Sequence, residues 1–195
     1  VMNNVRDRLS NVWWEQQLGI STRGLTLIDH EDSSRYTTMG YRTVERVLDH
    51  LDLQPSDVFV DVGSGKGRVL CCAARREVKQ VIGVELDAAL CDVARDNARR
   101  LRGRRAPIAV ETVLAQDFDY AAATVFFLFD PFGAATLGQL LDKVHADTRG
   151  QQVRFAYANP THDHVFQAQP WLERTATWDS GQAGTEHTIH FYRSR

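Results

Sequence analysis

The chain has 195 residues, 43% of them hydrophobic and 25% charged, and a net charge of −2. That is the composition of one globular domain, long enough to bury a core without disulfides or metals. The charge balance gives no global pointer to nucleic acid or to an anionic membrane, and no apolar run reaches the ~20 residues that a bilayer span requires. The first ten residues are polar and charged and carry no signal-peptide pattern, so a cytoplasmic protein is expected.

Residues 5–18 read as a helix with Val5, Leu9, Val12 and Trp13 on one stripe. Residues 19–39 are polar and read as loop. Residues 41–51 form a second helix with Tyr41, Val44, Val47, Leu48 and Leu51 inward. Val58–Val62 is a short β-branched strand ended by glycines, and 66–76 follow as a helix with Val69, Leu70, Ala73 and Ala74 on one face. Two of the three cysteines, Cys71 and Cys72, lie in that helix. With Cys91 they make an odd set that suits small core hydrophobes in a reducing compartment rather than a disulfide framework. Residues 81–86 are a second strand, and Asp87 caps a helix with Leu90, Ala94, Ala98 and Leu101 inward.

The basic loop 102–105 (RGRR) reads as a solvated turn. Residues 108–114 are a third strand, and 124–129 (TVFFLF) a fourth, apolar throughout as a strand buried on both faces should be. A helix over 135–145 has Leu137, Leu140, Leu141 and Val144 at helical spacing. Residues 153–158 are a fifth strand, 164–169 a short helix. Leu172–Trp178 and 187–193 are two final strands joined by a glycine-rich turn at 180–184, too short for a parallel crossover, so that pair is antiparallel. The fold class is therefore α/β: a three-layer sandwich with a seven-stranded, mostly parallel sheet, a C-terminal antiparallel hairpin and preceding helices. Residues 1–40 are read as a helical segment on the substrate side, and 41–195 as the binding domain.

The stretch "FVDVGSGKGRVL" (59–70) carries the chemistry. A phosphate loop needs G-x-x-x-x-G-K-[ST]. Here Val60 stands five before Gly65, and Gly67 replaces the hydroxyl residue that would hold magnesium. A dinucleotide loop needs G-x-G-x-x-G, but Arg68 stands where the third glycine belongs. The observed pattern is Asp61-x-Gly63-x-Gly65-x-Gly67. A carboxylate on the strand before the turn repels a pyrophosphate and attracts an ammonium group, while N–H groups at the helix start suit a carboxylate.

This stretch resembles the first motif of the class I S-adenosylmethionine-dependent methyltransferases. The resemblance covers roughly 36–195 and implies S-adenosyl-L-methionine as cofactor. It implies that Asp61, Gly63, Ser64, Gly65 and Gly67 seat the methionine end. Glu85, with Leu86 beside it, would hold the ribose hydroxyls. Gln116, Asp117 and Phe118 would meet the adenine. The segment "RYTTMGYRTVERVLDHL" resembles the one before the first motif in small bacterial methyltransferases of unassigned substrate and in seven-stranded protein-lysine methyltransferases. That likeness implies that Tyr36 and Thr37 close over the methionine end, with Tyr41 in reserve on the substrate side. Asp130-Pro131-Phe132 resembles the [D/N]-P-P-[F/Y] loop of amine and amide N-methyltransferases, with one proline missing. It implies that Asp130 and the Pro131 carbonyl accept N–H bonds from the nucleophile, that Phe132 covers it, and that Asp130 also lies by the cofactor.

Asn159 and His162 are expected on the substrate side, His162 with a general base among its readings and, with Asp163 and His164, a helix-cap cluster as another. A metal is not expected. The expected partner is a methyl acceptor, without nucleic acid or membrane. Three functions stay open: N-methylation of a protein lysine or small amine, O-methylation of a small metabolite, and a non-catalytic cofactor-binding module. Trp13 and Trp14 are open between a lid, a core cap and a subunit interface.

Overall fold

The computed structural model describes residues 2–23, 38–181 and 185–195, with side chains from Leu9 onward. Its centre is set by two apolar strands, β1 (Val58–Val62) and β4 (Val125–Phe129), which pair in parallel with Asp61 opposite Phe127. From β1 the chain steps outward to β2 (Gln80–Glu85) and β3 (Ile108–Thr112), then returns to β4 and continues to β5 (Arg154–Ala158) on the other side. The sheet order is β3-β2-β1-β4-β5-β7-β6. The reversal between β1 and β4 opens a crevice at their carboxyl ends, where open α/β sheets bind ligands.

The final hairpin, β6 (Leu172–Trp178) and β7 (Ile189–Ser194), is antiparallel as expected. Its second strand inserts between β5 and β6, running antiparallel to both. That insertion places Tyr192 and His190 beside β5 instead of at the sheet edge.

Helices cover both faces. On one face lie α2 (Tyr41–His50), α3 (Arg68–Ala73) and Leu101, which follows α4 (Ala88–Arg100), packed on Phe59, Val81 and Phe127. On the other lie α5 (Ala134–Asp147) and Phe166 of α6 (Asp163–Gln167), packed on Val60, Phe126 and Tyr157. Cys71, Cys72 and Cys91 are buried free thiols, and burial pushes the Cys71 thiol up to about 12. No described helix is long and apolar enough to cross a membrane.

Four expectations change. The helix expected over 66–76 begins only at Arg68, because Gly63, Gly65 and Gly67 take φ of 77°, 52° and 80° and hold the chain in a loop. The third strand ends at Thr112, since Ala115–Asp117 curl into a 3₁₀ turn closed by the Asp117 N–H on the Leu114 carbonyl. The first helix, α1 (Met2–Leu18), does not bury its apolar stripe: Leu9 and Trp13 are 65% and 55% exposed. Its inward residues are Trp14, stacked on Tyr41 at 5.8 Å, and the buried Glu15 and Leu18. The supposed polar loop after it starts and ends in the core, at Ile20, Thr22 and Met39.

Candidate functional site

β1 delivers Asp61 to the crevice with its side chain buried. Burial, and then the neighbouring Glu85 carboxylate, push the Asp61 carboxyl well above its usual range. Beyond it, the Gly63 and Ser64 N–H groups donate to the Val84 carbonyl at 2.8 and 3.2 Å, which folds the loop back onto β2. Gly83, opposite Asp61 in the pairing, leaves room for this: a Cβ there would stand 2.7 Å from Ser64 Oγ. Ser64 Oγ is itself buried and finds no hydrogen-bond partner among the described residues. A buried polar atom of that kind is costly unless a ligand completes it.

Glu85 ends β2 with its carboxylate held by backbone. Oε2 accepts from the Gly65 N–H at 2.9 Å, and Oε1 from Leu86 and Asp87 at 2.8 and 3.0 Å. Asp87 caps α4 by accepting from the Leu90 N–H. Leu86 projects outward, 37% exposed. Across the crevice mouth, Gln116 is half-buried and Asp117 exposed, while Phe118 lies edge-on to Tyr120 at 5.0 Å.

One strand over, Asp130 directly follows β4 with φ of 41°, a left-handed conformation that costs a non-glycine residue about 1–3 kcal/mol. Asn159, directly after β5, has φ of 50°. The two meet. Asp130 Oδ2 accepts from Asn159 Nδ2 at 3.2 Å and from Thr161 Oγ1 at 2.7 Å, and Oδ1 accepts from the Tyr157 hydroxyl at 3.2 Å. Burial raises the Tyr157 phenol, so it stays a proton donor to that carboxylate. Pro131 is buried directly on the glycine loop: a Cβ on Gly63 would lie 2.8 Å from Pro131 Cβ. Phe132 is half-buried against the α5 face.

The remaining candidates fall elsewhere. Tyr41, expected toward substrate, is fully buried, with Trp14 stacked on it and the Arg68 guanidinium 4.4 Å over its ring, so it is a packing residue. Tyr36 and Thr37 lie outside the described residues. His162 donates its backbone N–H to the Tyr157 hydroxyl at 3.2 Å, and its ring lies edge-on to His164. Asp163 does not cap with its histidine neighbours. It accepts from His190 Nδ1 at 2.5 Å, Tyr192 at 2.6 Å and Arg174 at 3.2 Å, tying α6 to the hairpin. Burial raises its carboxyl, but the hydrogen bonds from His190, Tyr192 and Gln167 outweigh that and hold it below the usual range. Among the described residues no group of three or more His, Cys, Asp or Glu side chains is placed to hold a metal ion.

Tyr157 and Thr161 were not among the sequence candidates. The available signal was their position at and just past the end of the fifth strand, beside Asn159.

The family described as histone methylation protein DOT1 matches residues 22–113. A ribosomal protein L11 methyltransferase from Hamiltonella defensa is 29% identical over 142 residues, 65% of this chain and 43% of that protein. The histone-lysine N-methyltransferase, H3 lysine-79 specific, of Caenorhabditis elegans is 36% identical over 80 residues, 39% of this chain and 8% of that one. The chain thus spans less than half the length of the curated relatives it matches. The crystal structure of an RNA methyltransferase from Salinibacter ruber with S-adenosyl-L-homocysteine superposes with a TM-score of 0.62 at 22% identity, over 81% of this chain and 94% of that one.

This is the class I S-adenosylmethionine-dependent methyltransferase fold. In its terms, Asp61, the glycine loop and Glu85 occupy the carboxyl ends of β1 and β2, and Asp130 the end of β4. The class I fold expected from the resemblance, with its seven-stranded, mostly parallel sheet and C-terminal antiparallel hairpin, therefore holds.

Proposed function

We propose that the protein is an S-adenosylmethionine-dependent methyltransferase acting on an amine nitrogen, of a protein lysine or a small molecule. The cofactor reading is supported by the polar groups of the crevice. Asp61 is a buried carboxylate whose ionised form wants a cation, and the cofactor's ammonium supplies one. Ser64 Oγ is a buried hydroxyl in need of a partner. Glu85 is already oriented by three backbone N–H groups, a preset acceptor for vicinal ribose hydroxyls. Leu86 and Phe118 offer apolar cover for a base.

The observation that carries the reaction is the contact between Pro131 and Gly63, which sets the Asp130 loop directly on the cofactor loop. When bound, the cofactor supplies an electrophilic methyl group on a sulfonium. In-line attack needs the acceptor lone pair aimed at that carbon, so the acceptor's N–H bonds must be held by acceptors. Asp130 and the Pro131 carbonyl serve as those acceptors, and Phe132 keeps water out. Tyr157, Asn159 and Thr161 fix the Asp130 carboxylate. Both curated relatives are named for protein methylation, and one of them for a histone lysine, which supports a protein lysine as acceptor.

Asp130→Ala is expected to lower methyl transfer by at least about 10²-fold, the scale on which lost positioning acts. Affinity for S-adenosylhomocysteine, measured by calorimetry, should stay within about threefold because that change leaves the ground-state seat intact. Equal transfer by wild type and variant, with labelled methyl donor and a lysate as acceptor, would remove Asp130 from the mechanism. A second reading rests on the two hydroxyls that Asp130 already accepts, from Tyr157 and Thr161. The same carboxylate could take the proton of a hydroxyl acceptor. Label recovered as methylated lysine supports the first reading, and label on a metabolite oxygen the second. No labelled product despite tight cofactor binding supports a binding module.

A further inference from the structure

The glycine loop is tied to the N-terminal segment through buried polar groups that the methyl-transfer chemistry does not use. Arg68, the first residue of α3, and Glu15, on α1, are 4% and 3% exposed, with a guanidinium nitrogen 3.5 Å from Glu15 Oε1. Arg68 Nε donates to Thr22 Oγ1 and a terminal nitrogen to the Met39 carbonyl, both at 2.8 Å. Glu15 Oε1 also accepts from the Thr22 N–H and hydroxyl at 2.9 Å, and Oε2 from Arg23 Nε at 2.6 Å. A second bracket runs alongside. Asn97 of α4, fully buried, accepts from the Ser21 N–H and donates to the carbonyls of Ser21 and Lys66, each at 2.9 Å. Lys66 Nζ reaches the Arg23 carbonyl at 3.1 Å.

Two facts give this network a direction. A buried ion pair is weak as a stabiliser, because well-packed apolar residues of similar volume do as well or better; what it offers is a defined geometry. The Arg68 fork also satisfies three elements at once, which an ammonium could not. Those partners, Glu15, Thr22 and Met39, all lie far from Arg68 in sequence, and all converge on this residue after Gly67.

We propose that Glu15 and Arg68 are positioning residues for the cofactor site: they lock residues 15–23 onto the glycine loop, so that docking of this segment and cofactor binding are one coupled event. The inference rests on the cofactor reading above. Its coupling is reciprocal, so the ligand must tighten the segment as much as the segment tightens the ligand.

The test uses the intact chain and S-adenosylhomocysteine. Hydrogen exchange on the wild-type protein should show added protection over 15–23 together with 63–68 when the ligand binds. Protection confined to 63–68 and the end of β2 overturns the proposal. Because Glu15→Gln alone orphans a buried charge and can unfold the chain, the paired variant Glu15→Gln/Arg68→Met removes both charges together. It should keep a cooperative melt yet bind the ligand at least tenfold more weakly, with Arg68→Lys in between. The exposed Glu173→Gln/Arg193→Met pair serves as control and should bind as wild type. Wild-type affinity in the buried-pair variant would make the network a scaffold only. Absence of ligand heat in the wild-type protein would instead remove the cofactor reading, and this inference with it.

Discussion

Gly63→Ala is expected to cost the protein cofactor binding and several degrees of melting temperature together. Two penalties add at this position. The φ of 77° puts any L side chain in the left-handed region, at about 1–2 kcal/mol. The new Cβ would also stand 2.8 Å from Pro131 Cβ, closer than carbon atoms approach, and forcing an atom into a packed site costs about 1–3 kcal/mol. A total near 3 kcal/mol corresponds to about 6–12 °C in a chain of this size. The functional loss is larger, because the strain relaxes by moving one of two loops. If the glycine loop moves, the seat between Asp61 and Glu85 is lost. If Pro131 moves, the wall it makes against the glycine loop is lost, and Asp130 moves with it. Binding of S-adenosylhomocysteine should weaken at least tenfold, and methyl transfer should fall further. Gly150→Ala is the control. Gly150 has φ of 79° but nothing within 4 Å of its added Cβ. It should lose only the backbone term, about 1–2 kcal/mol, with wild-type ligand affinity. Equal affinity loss in both variants would show that chain strain, not the Pro131 contact, governs the seat.

What could be read from the sequence follows from where each signal resides. The strands are short local runs, apolar at the centre of the sheet and mixed toward its edges, and all seven are legible in the sequence. The glycines declare their φ by residue type, and Asp61, Glu85 and Asp130 fall at strand ends, where parallel sheets collect ligand-binding groups. What was hidden depends on pairs far apart in the chain. The helical phase of α1 turns on Glu15 meeting Arg68, 53 positions away, so the apolar stripe of Leu9 and Trp13 misled while Trp14 packed. Arg68 itself read as an obstacle to a dinucleotide, since nothing near it in sequence announces partners at 15, 22 and 39. Tyr41 has the residue type of a substrate contact and the burial of a core residue. The insertion of β7 beside β5, which brings His190 and Tyr192 onto Asp163, is a matter of strand order, and the local pattern only specifies that the last two strands pair.

The second large effect concerns the proton on Asp61. Burial first, and the Glu85 carboxylate second, raise this carboxyl well above its usual range in the ligand-free protein. A carboxyl whose folded value exceeds its unfolded one contributes stability below the unfolded value, and that contribution is lost as pH rises through the folded one. Above the unfolded value Asp61 is therefore a burden on the empty fold, because the fold must either desolvate the charge or take up a proton that the unfolded chain does not hold. A bound ammonium reverses the balance by favouring the ionised form. Ligand binding at pH below the raised value must then release a proton, and affinity must climb with pH until that value is passed. Calorimetry in two buffers of different ionisation enthalpy reads the proton directly. Asp61→Asn keeps the volume and removes the charge. It should raise the melting temperature of the ligand-free protein at neutral pH and abolish the proton release. It should also weaken S-adenosylhomocysteine binding by roughly 10–100-fold, the scale of a charge-assisted hydrogen bond. Stability and binding move in opposite directions in this variant, which separates a ligand-facing carboxylate from a structural one. A structural Asp61 would lose stability on substitution and leave the pH dependence of binding where it was.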